Sequence, residues 1–172
     1  MADSMSVRAA MLRELEGEES ATLRTLERLP QARWDWAPHA KSTPMGRLGV
    51  HVATLPEVAI AILTTSEFDM TARRQGAGAT PQAAGDLAPT AQGLYHRVRE
   101  LLTQAPDEAL DASWTFRFGE RVLFQGPKAL ALRQFFLSHT IHHRAQLGVY
   151  LRLCDLPVPA IYGPSADENN FA

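Results

Sequence analysis

The segment SHTIHHRAQLGVYLRL, Ser138 to Leu153, places three of the chain's six histidines within five residues of a stretch that otherwise reads as a core helix. On a helical wheel at roughly 100° per residue, Leu132, Phe136, Leu147 and Tyr150 gather on one side, with His139 among them. His143 falls near the middle of this apolar arc, about 40° from His139, and His142 falls toward its edge. Gln146 lies one turn beyond His143 on the same side. Imidazoles on an inward face need partners, because a polar group buried without a hydrogen bond is costly. Two of them at i and i+4 can also close on a single ion, as in zinc-binding H-x-x-x-H helices. The glutamate that follows the first histidine in the zinc-protease motif is absent. The pair alone leaves two readings open: a metal site, or two core histidines bonded to backbone carbonyls or water. A third imidazole favours metal. His51, in LGVHVATL, lies one turn from Leu48 and Leu55 on the apolar side of its own helix.

Outward from this segment the pattern predicts four helices. The first covers about residues 4–29 and stops at Pro30. The second opens at Ser42 or Thr43 with Pro44 in its first turn, and carries Leu48, Val52, Leu55, Val58, Ala59 and Ile62 on one face; Pro56 predicts a kink. TARRQGAGATPQAAG lacks periodicity and reads as a long connector. The third helix covers about 81–103, capped by Thr80, although Pro89 argues for a later start. SWTFRF and RVLFQ flank Gly119-Glu120 and predict a short hairpin. The fourth helix covers about 127–153, and the polar tail GPSADENNFA is expected to be loosely held. The expected fold is an all-α four-helix bundle, one domain over 1–172, with a long crossover between helices 2 and 3 and a short hairpin before helix 4.

Composition narrows the function. A net charge of -2 at pH 7 excludes the basic footprint of a nucleic-acid binder. The single cysteine, Cys154, excludes an intramolecular disulfide and fits a reducing compartment. The N-terminus lacks the apolar run of a secretory signal, and no segment approaches a membrane span, so the expected location is the cytoplasm. His39 falls in a proline-rich loop and His96 on the solvated side of the third helix. Cys154 lies past the fourth helix, too distant to be a ligand.

PHAKSTPMGRLGVHVATLPE followed by HTIHHRAQLGVYLRL resembles the DinB/YfiT-like bundles, a metal-binding superfamily distinct from the DNA polymerase that shares the name. The specific part is the HHRAQL core, in which alanine replaces the commoner glycine. The resemblance places three metal ligands on His51, His139 and His143. It implies zinc or nickel with water completing the shell, and a homodimer. It also implies kinship with transferases and isomerases that use low-molecular-weight thiols. Three imidazoles leave coordination positions open, the layout of a catalytic rather than a closed structural site. The expected function is therefore a metal-dependent transferase that activates a small thiol, or a hydrolase that activates water. The alternative is a non-catalytic, stress-associated metal-binding protein. Gln146 is placed to bond a ligand imidazole or a bound water. Arg144, Trp34, Trp36 and Tyr150 are candidates for the entrance, and Glu57, nearly two turns from His51, is expected in solvent.

Overall fold

The computed structural model describes residues 5–71 and 81–169. Helix α1, Val7–Leu26, is opened by Ser6, whose hydroxyl accepts from the Ala9 N–H. The second predicted helix is two: α2, Met45–Thr54, and α3, Pro56–Thr64. The break falls where Pro56 lacks an N–H to donate, and Pro56 takes the first position of α3, where none is needed. Strand β1, Glu67–Asp69, follows. Helix α4, Leu87–Gln104, starts later than the pattern suggested. Pro89 then sits in the first turn, among N–H groups that have no partner in the helix. Thr80 and the middle of the long connector lie outside the described residues.

The predicted hairpin is present as β2, Ser113–Phe118, and β3, Arg121–Pro127, with Gly119 at φ 58° in the turn. The fold is nonetheless not strictly all-α. β1 joins this hairpin in parallel, giving a three-stranded mixed sheet in the order β1-β2-β3. Three residues carry no periodic signal, which is why the sequence hides β1. Side chains hold it instead: Arg117 of β2 bonds Glu67 at 2.9 Å and Asp69 at 2.6 Å. The buried Trp114 and the half-buried Phe116, Phe124 and Phe135 seat the sheet on the helices, with Phe116 and Phe135 rings 5.1 Å apart.

The final rod consists of α5, Lys128–Leu132, a π turn, Arg133–Leu137, and α6, Ser138–Leu153. α4 lies against α1, α2 and α3, and α6 lies against α1 and α2. Leu15, Leu26, Val52, Ile62, Tyr95, Val98, Leu147 and Leu151 form the centre of the core. One sequence expectation changes here. Met45–Thr64, 20 residues, is long and apolar enough to cross a membrane by length and composition. Half of that stretch is already buried in the protein, with Met45, Leu48, Val52, Leu55 and Ile62 in the bundle core.

The tail is also held more firmly than expected. Asp167 accepts from the Val158 N–H and from Arg152, and Glu168 accepts from the Ala160 N–H and from Arg28. Tyr162 donates to Glu18 at 2.7 Å.

Candidate metal centre

α2 and α6 run antiparallel. Tyr150, near the end of α6, donates to the carbonyl of Thr43, just before α2, at 3.1 Å. Farther along the pair, His51 of α2 meets His139 and His143 of α6. The Nε2 atoms of His51 and His139 are 3.3 Å apart. Ring centroids are 5.0 Å apart for His51–His139, 4.6 Å for His51–His143 and 4.7 Å for His139–His143. One nitrogen from each residue lies within 4.8 Å of the others. Nitrogens about 2.0–2.1 Å from one tetrahedral ion would stand roughly 3.3 Å apart, so the His51–His139 separation is that of two ligands. The donor set, three imidazoles at a half-buried rim, fits a divalent cation that keeps open positions.

Two neighbours orient the rings. Gln146 Oε1 is 2.7 Å from His143 Nδ1, which therefore carries the hydrogen and leaves Nε2 for an ion. Gln146 thus does what its position on the wheel suggested. His139 hydrogen-bonds the Phe135 carbonyl, one turn earlier in the π turn. Its Nε2 faces His51, so Nδ1 is the donor. Sequence reasoning missed this partner, because backbone carbonyls and π turns leave no residue signature. Burial, with the neighbouring His143 adding to it, pushes the His139 pKa below its ordinary value, favouring the neutral ring a metal needs.

The wheel placed the pair at the centre of the buried face; the structure places it beside that face. The buried residues of α6 are Thr140, Arg144, Leu147, Tyr150 and Leu151, and His139, His143 and Gln146 lie beside them. The cause is twofold. The π turn shifts the phase between Phe136 and His139, and two polar residues, Thr140 and Arg144, occupy core positions. His142 is exposed, its ring 4.7 Å from that of His143 and outside the cluster.

Arg144 does not line the entrance. It is 2% exposed and bonds Glu18 of α1, 8% exposed, at 2.7 Å. Trp36 packs edge-on to Tyr150 at 5.5 Å, about two turns beyond His143 along α6, whereas Trp34 lies over Gly46. Glu57 is half-buried rather than solvated. His39 and His96 are exposed and apart from the cluster, as expected.

A family model described as the DinB family matches residues 1–170. The chain belongs to the DinB family. Its relative YrdA of Bacillus subtilis (strain 168), named an uncharacterized protein, is 30% identical over 161 residues, which span 91% of this chain and 89% of YrdA. A DinB-like protein of Bacillus cereus ATCC 10987 superposes with a TM-score of 0.71 at 21% identity, covering 92% of this chain and 99% of its own. The DinB-like protein YjoA of B. subtilis gives 0.68 at 19% identity, covering 87% and 96%. At these identities the solved structures show the shared helical fold. The DinB-family helices of this protein are what bring His51 to His139 and His143.

Proposed function

We propose that this DinB-family protein is a metal-dependent transferase that uses a zinc or nickel ion, held by His51, His139 and His143, to activate a small thiol. The observation that supports this most directly is the convergence of three half-buried imidazoles, two of which, His139 and His143, have hydrogen-bonded Nδ1 atoms that leave Nε2 for a metal. A divalent ion there would lower the pKa of a bound thiol or water. The protein's own groups do the rest. Gln146 and the Phe135 carbonyl fix two rings so that little reorganisation accompanies binding. Trp36 and Tyr150 form an aromatic flank about two turns beyond His143 along α6. The thiol proton leaves to solvent, a sulfur–carbon bond forms to the electrophile, and the bond to its leaving group breaks. Water in place of thiol makes the same site a hydrolase.

Two measurements test the reading. Protein purified without a nickel column should contain about one zinc or nickel per chain by elemental analysis. It should also conjugate a small thiol to an electrophile such as a chlorodinitroarene, with activity lost in His51→Ala at unchanged folding. Metal without turnover, across thiols and simple esters, would leave the non-catalytic binding role standing instead. Absence of metal, with no uptake on addition, would overturn both.

A further inference from the structure

The two helices that present the histidines come from the two longest stretches of the chain without a carboxylate. Residues 36–56 and 121–154 contain no aspartate or glutamate, in a protein with 19 of them. The two helices that carry the histidines therefore place no carboxylate of their own beside the three imidazoles. Cations are present in those stretches, and most are occupied. Arg133 pairs with Glu14, Arg144 with Glu18 and Arg152 with Asp167, and Lys128 donates to the Leu63 carbonyl.

Arg47 is different. It is exposed and has no carboxylate within ion-pair distance among the described residues. It lies in the first turn of α2, where the helix dipole disfavours a cation. It precedes His51 by four residues, so its side chain rises on the same side of the helix, with Cβ atoms about 5–6 Å apart. The antiparallel pairing places it opposite Gln146. Residue 43 meets 150, and His51 meets the pair His139 and His143, so Arg47 falls between these levels. Gln146 gives its amide oxygen to His143, which turns its amide N–H groups away from that ring.

Building on the metal reading above, we infer that Arg47, aided by the Gln146 amide, is an anion subsite beside the three histidines, and that the small thiol taken here carries a carboxylate. The sulfur would sit at the histidines and the carboxylate on the guanidinium, one helical turn away, a pairing Arg is shaped for. Two anchors a few ångströms apart would select thiols with a short spacer and orient the sulfur.

The test uses cobalt(II)-loaded protein, in which thiolate binding gives its own absorption band. 3-Mercaptopropionate and 2-mercaptoethanol share the two-carbon spacer and differ in the carboxylate. The parent should bind the carboxylate thiol about 5-fold or more tightly than the alcohol, the scale of a partly exposed charge-assisted pair. Arg47→Gln should collapse that ratio toward one without changing cobalt content. An unchanged ratio in Arg47→Gln, or a parent without preference, overturns the subsite and leaves the metal site standing. A parent that takes up no cobalt overturns the metal reading, and the subsite with it.

Discussion

His142 and His143 are neighbours in sequence with opposite surroundings. His143 joins the cluster and is oriented by Gln146, whereas His142 is exposed and only leans on His143's ring. His143→Ala should therefore remove a ligand and weaken metal binding beyond the roughly 10–100-fold that outer partners contribute. His142→Ala should stay within that range. Chelator competition on both variants decides it: an empty site in His142→Ala with a full one in His143→Ala would mean the ligand set is wrong. His139 adds a pH dependence to the metal-free protein. Its folded pKa lies below the ordinary 6.5, so folding favours the neutral ring. That contribution is complete above pH 6.5 and is lost as pH falls below it. The paired carboxylates Asp69, Asp167 and Glu168 are held below their ordinary 3.8 to 4.5, so their contribution is lost only in more acid solution. Urea midpoints of the metal-free parent should thus fall between pH 7 and 5, and His139→Asn should flatten that slope. Equal slopes would sink the assignment. At this scale the sequence was most legible for the cluster: the helical wheel and the resemblance singled out His51, His139 and His143, the three histidines that the structure brings together. It was least legible for what orients them, since the Phe135 carbonyl belongs to no residue type.

Elements were legible wherever a period of 3.6 or 2 ran long enough. α1, α4, the hairpin and the final rod all follow from pattern, and prolines 56 and 89 mark where helices break or begin. Two elements escaped for physical reasons. β1 is three residues long and is held by Arg117 rather than by an alternating pattern. The π turn has no compositional signature, yet it resets the face of α6 and with it the depth of the histidines. The loop before α2 is also set by packing. Met45 and Gly46 donate their N–H groups to the Trp36 and Trp34 carbonyls, each at 2.8 Å, and a Cβ on Gly46 would stand 2.2 Å from the Trp34 ring. Gly46→Ala must push that ring aside, and overpacking of this kind costs about 1–3 kcal/mol. Gly17, exposed within α1 and with nothing near its missing Cβ, is the contrast. Gly17→Ala should stabilise by about 0.5–1 kcal/mol through helix propensity. Urea unfolding of the two variants should move in opposite directions, and a neutral Gly46→Ala would show that the Trp34 bracket is loose.

Across the whole molecule, the order of the helices followed from the sequence, but the C-terminal segment did not. Its polar composition suggested a loose tail, whereas its charges are matched to Arg24 of α1, Arg152 of α6 and Arg28 in the turn after α1, a long-range complementarity that composition cannot display. The outer surface left by this arrangement bears on assembly. On the solvent side of α6, Val149 and Leu153 are 58% and 57% exposed, one turn apart. Val149 borders a groove of about 440 Å³ between α6 and the C-terminal segment, lined also by Ala145, Gly148, Val158 and Ile161. Scattered apolar side chains are ordinary on a surface, but a helical stripe beside a groove is a shape that a second copy's stripe can enter. The expected assembly is a homodimer in which α6 of each protomer lies against the other, burying at least the roughly 1,000 Å² of a specific interface. Val149 stands about 80° from His139 on the α6 wheel, so a seam centred on it would pass beside the histidine rim. Light scattering at micromolar concentration should give twice the 18.9 kDa chain mass. Val149→Glu places two like charges near the dyad without touching the core, so it should shift the protein to monomer while preserving its helical spectrum and metal content. A parent that is monomeric at those concentrations removes the dimer, and a Val149→Glu variant that stays dimeric moves the interface elsewhere, with the exposed Phe118, Val122 and Leu123 of the hairpin as the next surface to mutate.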